Sequence, residues 1–302
     1  MTHTFLRLRA RRWCSPRRLA GLATVLLAVA GSAAPASAQL SRVGSNPSLI
    51  ATGVRGSDVA FDPANAVYLV VGSYGQTWGI FVNVAGVPVT SPFVISGGAG
   101  FAHYPRVAYS PHAGGFLVTW HENVGSPNFV HTRMVSFPNR LVSPIRIIES
   151  SSTWWESGAA VAYSPISQLF LVTWRSGDYL IHGARITLSG APVGPTFQIS
   201  ASGVGSRDPS VAWNSTTDDF GVVYTGFSNA GATTSFARVT PAGQVIRRNT
   251  FNVGAATFIT DVAFNTGTGR FVAVWSQNGT QGAEISAAGD VLGQGLVSTT
   301  TG

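Results

Sequence analysis

The sequence predicts an all-β fold, a β-propeller of about five four-stranded blades, and three observations lead to this prediction. A motif of the form VAY…FLVTW recurs at intervals of 48, 54, 50 and 51 residues. Its copies are rich in β-branched and aromatic residues, and no sustained helical period follows residue 38. Units of four strands that repeat every ~40–50 residues are typical of a propeller. The five copies begin at Val59, Val107, Val161, Val211 and Val262.

The first 38 residues have the pattern of a signal peptide. Six arginines precede residue 19, an apolar run follows at Leu19–Ala30, and small residues end in Ala36-Ser37-Ala38. A basic region, an apolar region and an A-x-A site occur in this order in secretory signals. The alternative, an uncleaved anchor, requires a longer apolar run. We therefore predict cleavage after Ala38 and a secreted or periplasmic protein.

Removal of this segment leaves a nearly neutral chain without cysteine. Six of the 19 basic residues lie in it, so 13 remain against 12 acidic residues, a net charge of +1 instead of +7. The only cysteine is Cys14, so the mature chain can form no disulfide. The charge balance argues against a nucleic acid partner. No second apolar run is long enough for stable membrane insertion, and the oligomeric state is left open.

Residues 39–302 are predicted to form a single propeller domain. Its repeat units lie near 54–100, 101–154, 155–204, 205–256 and 257–298. An extra N-terminal strand is predicted at 47–52, because this segment is similar to the last strand of a unit. Residues 290–298 are predicted to be a strand of the same kind. Either of these two strands could therefore complete the fifth blade.

Each unit is predicted to hold four strands, A to D. Strand A carries the VAY-like triplet, and a turn of Pro, Asn, Ser, Gly and Asp leads to strand B, the FLVTW-like segment. A variable loop precedes strand C, and a tight turn joins C to D. Gly72 stands where later units have a large aromatic residue, and Trp78 is expected to fill the space. Those aromatic residues are predicted to pack between blades: Trp120, Trp174, Tyr224 and Trp275.

With these repeats the chain resembles β-propeller repeat proteins over residues 46–298, in particular exported bacterial proteins with VAY…FLVTW repeats. It lacks the WD dipeptide, the paired glycines of kelch repeats and the S-x-D-x-G-x-T-W box. The nearest segment to that box, Ser73–Trp78, has no Asp. The resemblance therefore implies an architecture and no specific family. A parallel β-helix or a β-sandwich is the structural alternative.

The B–C loops and the D-to-A connections lie at one end of such blades, called the loop end below. They are longer, more variable and more aromatic than the turns at the other end, and variable loops on a rigid scaffold usually carry binding. We therefore expect an exported non-enzymatic binding module for carbohydrate or another cell-surface polymer. Alternatively, the aromatic residues only cover gaps between blades. The predicted ligand-binding residues are Trp154, Trp155, Glu156, His103, Tyr104 and Trp78.

The residues that precede the repeat valines suggest a second hypothesis. In a ring the first and fifth units are neighbours, so Asp58 and Asp261 would approach each other, with Arg106 one blade away. Two carboxylates can serve as acid and nucleophile in glycoside hydrolysis, and Glu122 or Glu156 could supply a third. Five-bladed propeller glycosidases place carboxylates on inner strands, which is an analogy of architecture. The simpler interpretation is a salt bridge between Asp58 and Arg106, or solvated rim charges.

A third hypothesis is a structural adhesin or assembly scaffold that associates through an unpaired edge strand. The sequence contains no G-x-S-x-G elbow, no H-E-x-x-H pair and no phosphate-binding glycine loop. We therefore predict no cofactor and no metal site.

Overall fold

A computed structural model describes residues 55–97, 100–138, 140–151, 158–202, 205–228, 231–254, 258–277 and 279–298. These residues belong to one compact unit. Their secondary structure consists of strands and turns, and no helix among them is long and apolar enough to span a membrane. The predicted signal peptide 1–38 and the predicted strand 47–52 lie outside the described residues.

Five antiparallel sheets follow one another along the chain, and each forms one blade. Blade 1 consists of β1 (Arg55–Asp62), β2 (Val67–Tyr74), β3 (Gln76–Asn83) and β4 (Phe93–Val94). Blade 2 consists of β5 (Phe101–Ser110), β6 (Gly115–Asn123), β7 (Asn128–Ser136), β8 (Arg140–Leu141) and β9 (Arg146–Ser151). Blade 3 consists of β10 (Ala160–Ser164), β11 (Leu169–Arg175), β12 (Ile181–Ile186) and β13 (Phe197–Gln198). Blade 4 consists of β14 (Gly205–Asn214), β15 (Asp219–Ser228), β16 (Gly231–Val239) and β17 (Val245–Gly254). Blade 5 consists of β18 (Phe258–Asn265), β19 (Arg270–Ser276), β20 (Thr280–Ser286) and β21 (Val291–Ser298).

This architecture confirms the predicted all-β, five-bladed propeller. The strands of each blade pair in chain order, except that β8 and β9 both pair with β7 in blade 2. Pro144 lies between β8 and β9 and has no N–H to donate to the ladder, so the outer strand is interrupted there. In blade 5 the fourth strand is β21, and residues near the C-terminus therefore complete that sheet.

The turn from strand A to strand B is built in the same way in all five blades. The residue three positions after the repeat valine has a short polar side chain, and its oxygen accepts a hydrogen bond from a backbone N–H of the turn. Asp, Asn and Ser favour turns because they bond back to the backbone in this way. The five residues are Asp62, Ser110, Ser164, Asn214 and Asn265.

Both faces of a central blade are buried, because another blade lies on each side of it. Almost every side chain of β6 and β11 is buried, whether it points up or down from the sheet. Four hydrophobic clusters hold the blades together, and each joins one blade to the next from blade 1 to blade 5. The predicted packing residues Trp120, Trp174, Tyr224 and Trp275 are all at most 4% exposed, which confirms their assignment to blade packing.

The described residues form no such cluster between blade 5 and blade 1. The residue ten positions after the repeat valine points toward the following blade. In blades 1 to 3 this residue is at most 1% exposed: Leu69, Leu117 and Leu171. In blade 5 this residue is Val272, which is 40% exposed. The seam between blades 5 and 1 is therefore packed less closely than the other four.

Candidate functional site

The first strands of the blades are the inner strands of the ring, because β1, β5, β10, β14 and β18 lie against one another in that order. Four of them contain a β-bulge near their first residues, at the loop end. Three of these bulges contain a residue with a left-handed backbone, and this residue lies three positions before the repeat valine. These residues are Gly56, Tyr104 and Asp208, with φ of 59°, 49° and 52°. Bulges next to functional sites commonly redirect a side chain.

Two glycines from other segments, Gly56 and Gly158, pack closely against Tyr104. A Cβ on Gly56 would lie 3.2 Å from the Tyr104 Cα, and one on Gly158 would lie 3.1 Å from its Cβ. The side chain is 40% exposed, and its ring centroid is 6.0 Å from that of His103. Two of the predicted binding residues, His103 and Tyr104, thus lie together at the loop end.

Asp58 is a partly buried carboxylate on β1 that connects blade 1 to blade 2. Its Oδ1 accepts the N–H of Val59 at 2.9 Å, and its Oδ2 accepts the N–H of Val107 at 2.9 Å. Burial raises the pKa of Asp58 most, and the nearby charge of Asp261 also raises it. The two backbone bonds and Arg106 act in the opposite direction, and the pKa stays above its ordinary value of 3.8.

Asp261 takes the corresponding place on β18 and is held by blade 4. Its Oδ1 accepts the hydroxyl of Ser210 at 2.7 Å and the N–H of Val262 at 2.9 Å. Its negative charge is the weakest of the influences on the pKa of Asp58 and acts to raise it. Arg106 donates to the carbonyl of Ser57 at 3.4 Å. Within the described part of the chain, no salt bridge joins Arg106 to Asp58.

A third carboxylate at the loop end, Asp208, was not identified in the sequence. Its side chain is about 29% exposed, and its Oδ2 lies 3.3 Å from the Nε of Arg207. Burial raises the pKa of Asp208, while Arg207 and Arg175 lower it less strongly. The available signal was the alignment of Asp208-Pro209 with Tyr104-Pro105 in the repeats. The sequence Asp-Pro does not by itself predict a β-bulge, so the position of Asp208 in the bulge became known only from the backbone of the structure.

Glu122 does not join these carboxylates. It is 4% exposed, accepts the indole N–H of Trp120 at 3.2 Å, and its carboxylate lies 3.4 Å from the Nε2 of His131. This places it in the packing between blades 1 and 2. Among the described residues, no three His, Cys, Asp or Glu side chains are grouped so that they could hold a metal ion.

Of the other predicted binding residues, one is described by the structure and three lie outside the described residues. Trp78 is the cross-strand neighbour of Gly72, as expected, and is 37% exposed. The next residue, Gly79, faces the core shared with blade 2, so Trp78 points to the opposite face of blade 1. Trp154, Trp155 and Glu156 fall outside the described part of the chain.

Solved structures share this fold at low sequence identity. Raptor from Chaetomium thermophilum gives a TM-score of 0.52 at 11% identity, over 82% of this chain and 21% of that chain. An exo-1,5-α-L-arabinanase from a bovine ruminal metagenomic library gives 0.44 at 10% identity, over 80% and 97%. An exo-β-1,3-galactanase from Phanerochaete chrysosporium gives 0.44 at 10% identity, over 73% and 56%. No family model and no curated protein matches the chain. Likeness at this level shows the fold alone.

The comparisons correct one expectation from the sequence. A non-enzymatic binding module for carbohydrate or a cell-surface polymer was expected, but the solved structures that share the fold and are named for sugar chemistry are glycoside hydrolases. The expectation rested on the variable aromatic loops, and such loops can bind a sugar in a hydrolase as well as in a binding module. The main sequence-based prediction of function is therefore wrong.

Proposed function

We propose that this protein is a glycoside hydrolase whose acid–base chemistry is carried out by Asp58 and Asp261. The observation that supports the proposal is that two carboxylates occupy the same repeat position on the inner strands of blades 1 and 5, where the charge of Asp261 contributes to raising the pKa of Asp58. Burial raises the pKa of Asp58 and so favours its protonated form, although the carboxylate accepts two backbone N–H groups. Asp261 accepts the Ser210 hydroxyl and the Val262 N–H. Two carboxylates that flank a bound sugar can carry out glycoside hydrolysis.

In this mechanism Asp58 donates its proton to the glycosidic oxygen as the bond to the leaving sugar breaks. The carboxylate of Asp261 stabilises the positive charge that develops at the anomeric carbon. It then either attacks that carbon or takes a proton from the attacking water, depending on the separation of the two carboxyl groups. The Ser210 hydroxyl and the Val262 N–H hold Asp261 in place for either role.

His103 and Tyr104 are proposed to position the sugar. The Tyr104 ring is partly exposed at the loop end, and a flat ring can cover the C–H surface of a pyranose. We also propose that the protein is exported, because residues 1–38 have the pattern of a signal peptide. N-terminal sequencing of the secreted protein would test cleavage after Ala38.

The proposed chemistry is tested by replacing each carboxylate with its isosteric amide. Asp58→Asn and Asp261→Asn should each lower kcat/KM on a panel of aryl glycosides by roughly 10²-fold or more, the usual contribution of a general acid or base. Asp290→Asn is the control, since Asp290 is an exposed carboxylate that pairs with Arg247 near the turn between β20 and β21. The proposal fails if the wild type hydrolyses none of the panel, or if Asp58→Asn is as active as Asp290→Asn.

A further inference from the structure

The face of blade 1 that points toward blade 5 is buried, although blade 5 forms no hydrophobic cluster with it among the described residues. Side chains alternate along β3, and Phe81 packs toward blade 2, so Ile80 and Val82 point toward blade 5. Ile80 and Val82 are 6% and 4% exposed, but they belong to none of the four clusters. A single sheet leaves its faces open to water, so another layer must lie over these residues. In later blades the residues at the repeat position of Val82 all pack against the preceding blade: Val135, Ile186, Val239 and Ile285.

Blade 5 does not supply this layer in the described part of the chain. Val272 and Glu284 are cross-strand partners and therefore share the face of blade 5 that points toward blade 1. Val297 lies on the same face, because a Cβ on Gly282, two positions before Glu284, would be 2.9 Å from its Cγ2. Val272 and Val297 are 40% and 65% exposed, and about half of the Glu284 side chain is exposed. These side chains remain accessible, so they are not what buries blade 1.

Gly72 leaves space in this seam, because the other blades carry a large aromatic residue at its position. It has no side chain, yet it is buried. Its cross-strand neighbour Trp78 remains 37% exposed. A layer over Gly72 therefore has the room that an aromatic ring takes in the other seams. The aromatic residues that fill those seams are Trp120, Trp174, Tyr224 and Trp275.

The segment that precedes β1 carries the apolar residues that such a layer needs. In the other four seams an apolar residue 11 to 13 positions before the repeat valine packs between the two blades. Leu49 and Ile50 stand ten and nine positions before Val59. This spacing is shorter partly because the bulge of β1 skips one residue, whereas the bulges of β5 and β14 skip two. The corresponding residues of the other seams are Ile95, Ile148, Ile199 and Phe251.

We propose that residues 47–54, which lie outside the described residues, cover the face of blade 1 at Gly72 and Ile80, with the side chains of Leu49 and Ile50 packed over Gly72. The segment forms a layer between the two blades. It is not required as the fourth strand of blade 5, because β21 already forms that strand.

The connection of the chain favours this segment over a second copy of the protein as the occupant. Val54 is followed directly by Arg55, the first residue of β1, so the segment is attached at the border of the face that it covers. A tethered segment has only a short loop to close, whereas a second molecule also loses translational and rotational freedom when it binds. The occupant that costs least entropy is therefore already part of the chain.

Cross-linking tests which part of the protein lies on this face. In the full chain with Cys14→Ser no thiol remains, so Ile50→Cys and Trp78→Cys introduce a unique pair. With a short bis-maleimide reagent, we expect at least tenfold more cross-link within one chain than for Ile50→Cys combined with Ile147→Cys. Ile147 is an exposed residue of blade 2 and serves as the control. Cross-links between two chains would show that a second copy covers the face, and equal yields from the two pairs would place the segment elsewhere; either result would overturn the inference.

Thiol labelling measures the cover itself. Ile80→Cys places a thiol on the buried face, and Ile50→Asp puts a charge into the segment. A charged reagent should label Ile80→Cys at least tenfold faster when Ile50→Asp is present, because an ionised carboxylate is costly to keep in an apolar contact. Ser45→Asp adds the same charge outside the segment and is the matched control. Equal labelling in these two backgrounds would contradict the inference.

Two further measurements keep the comparison local and separate it from the proposed function. Ile186→Cys, buried in blade 3, should be labelled at the same rate in both backgrounds, which verifies that the rest of the ring stays folded. Neither cross-linking nor labelling depends on hydrolysis. A failure of this inference therefore leaves the proposed function standing, and inactivity toward glycosides leaves this inference standing.

Discussion

Asp58 and Asp261 occupy the same position in their repeats, yet different groups of the adjacent blades hold them. Asp58 turns toward blade 2, where burial raises its pKa even though it accepts two backbone N–H groups. Asp261 is exposed and receives a hydroxyl from Ser210 of the preceding blade. The difference arises from what the adjacent blade presents, a backbone N–H in one case and a serine hydroxyl in the other.

Arg106 provides a test of these roles at the scale of single residues. Its positive charge lowers the pKa of Asp58, so Arg106→Gln should let that pKa rise further. A general acid must be protonated, and activity is lost as pH rises through its pKa. The alkaline limb of the pH profile of kcat/KM should therefore move to higher pH in Arg106→Gln.

The control for this measurement is Arg270→Gln, because Arg270 pairs with Glu284 beside the turn between β18 and β19, far from Asp58. An alkaline limb that moves to lower pH, or that moves equally in both variants, would contradict the assignment of Asp58 as the acid. Titration of Asp58 by NMR should show the same upward shift without relying on activity.

At the scale of elements, the β-bulge in the inner strands is the feature that forms the site. It gives a left-handed backbone to Gly56, Tyr104 and Asp208 at one position of the repeat. For Tyr104 and Asp208 this conformation costs of the order of 1–2 kcal/mol, because a Cβ collides with the backbone there. Strain of this kind is retained mainly where it places a side chain that is needed. Of the three bulge residues, Tyr104 belongs to the proposed site.

Gly56→Ala tests the importance of the bulge to blade 1. The substitution places a Cβ at φ of 59° and 3.2 Å from the Tyr104 Cα, so it should lower the free energy of unfolding by about 1–2 kcal/mol. Urea denaturation measures the effect. Gly205→Ala is the control, because a Cβ there meets nothing within 4 Å. If both variants were equally stable, the bulge of blade 1 would accept a side chain at position 56, which would contradict this prediction.

At the scale of the whole molecule, the ring has five seams but only four hydrophobic clusters in the described residues. Blades 2, 3 and 4 are packed on both faces, whereas the outward face of blade 5 remains accessible at Val272. The proposed catalytic carboxylates belong to the two blades that border this seam, although Asp58 bonds to blade 2 and Asp261 to blade 4.

Because the seams are packed unequally, truncation to alanine at the same repeat position should lower the free energy of unfolding by different amounts in different blades. Leu171→Ala should cost about 2–5 kcal/mol, because Leu171 is buried between blades 3 and 4. Val272→Ala, at the same repeat position, should change stability by less than about 1 kcal/mol, since its side chain is largely accessible. Chemical denaturation compares the two. Similar losses would show that blade 1 packs against blade 5 as closely as the other blades pack together.

Much of the fold could be predicted from the sequence because its signals are local. Turn residues such as Asp62 and Asn214 bond to their own neighbours, and Trp120 and Trp174 recur at one place in a period-two pattern. The site was only partly accessible in this way. Asp58 and Asp261 were found because repeats align them, but Asp208 was missed because its role depends on a backbone conformation that no sequence motif marks.

The sequence by itself determined the number of repeats, the order of strands within each blade and the aromatic residues that fill the seams. These features depend on neighbours along the chain and on the alternation of side chains along a strand. Only the tertiary structure decided that Arg175, Arg207 and Asp208 meet, that Glu122 is buried in a seam, and that Val272 stays accessible. The physical reason is that these surroundings are formed by neighbouring blades. Residues from different repeats come together there, and no local pattern records which of them will meet.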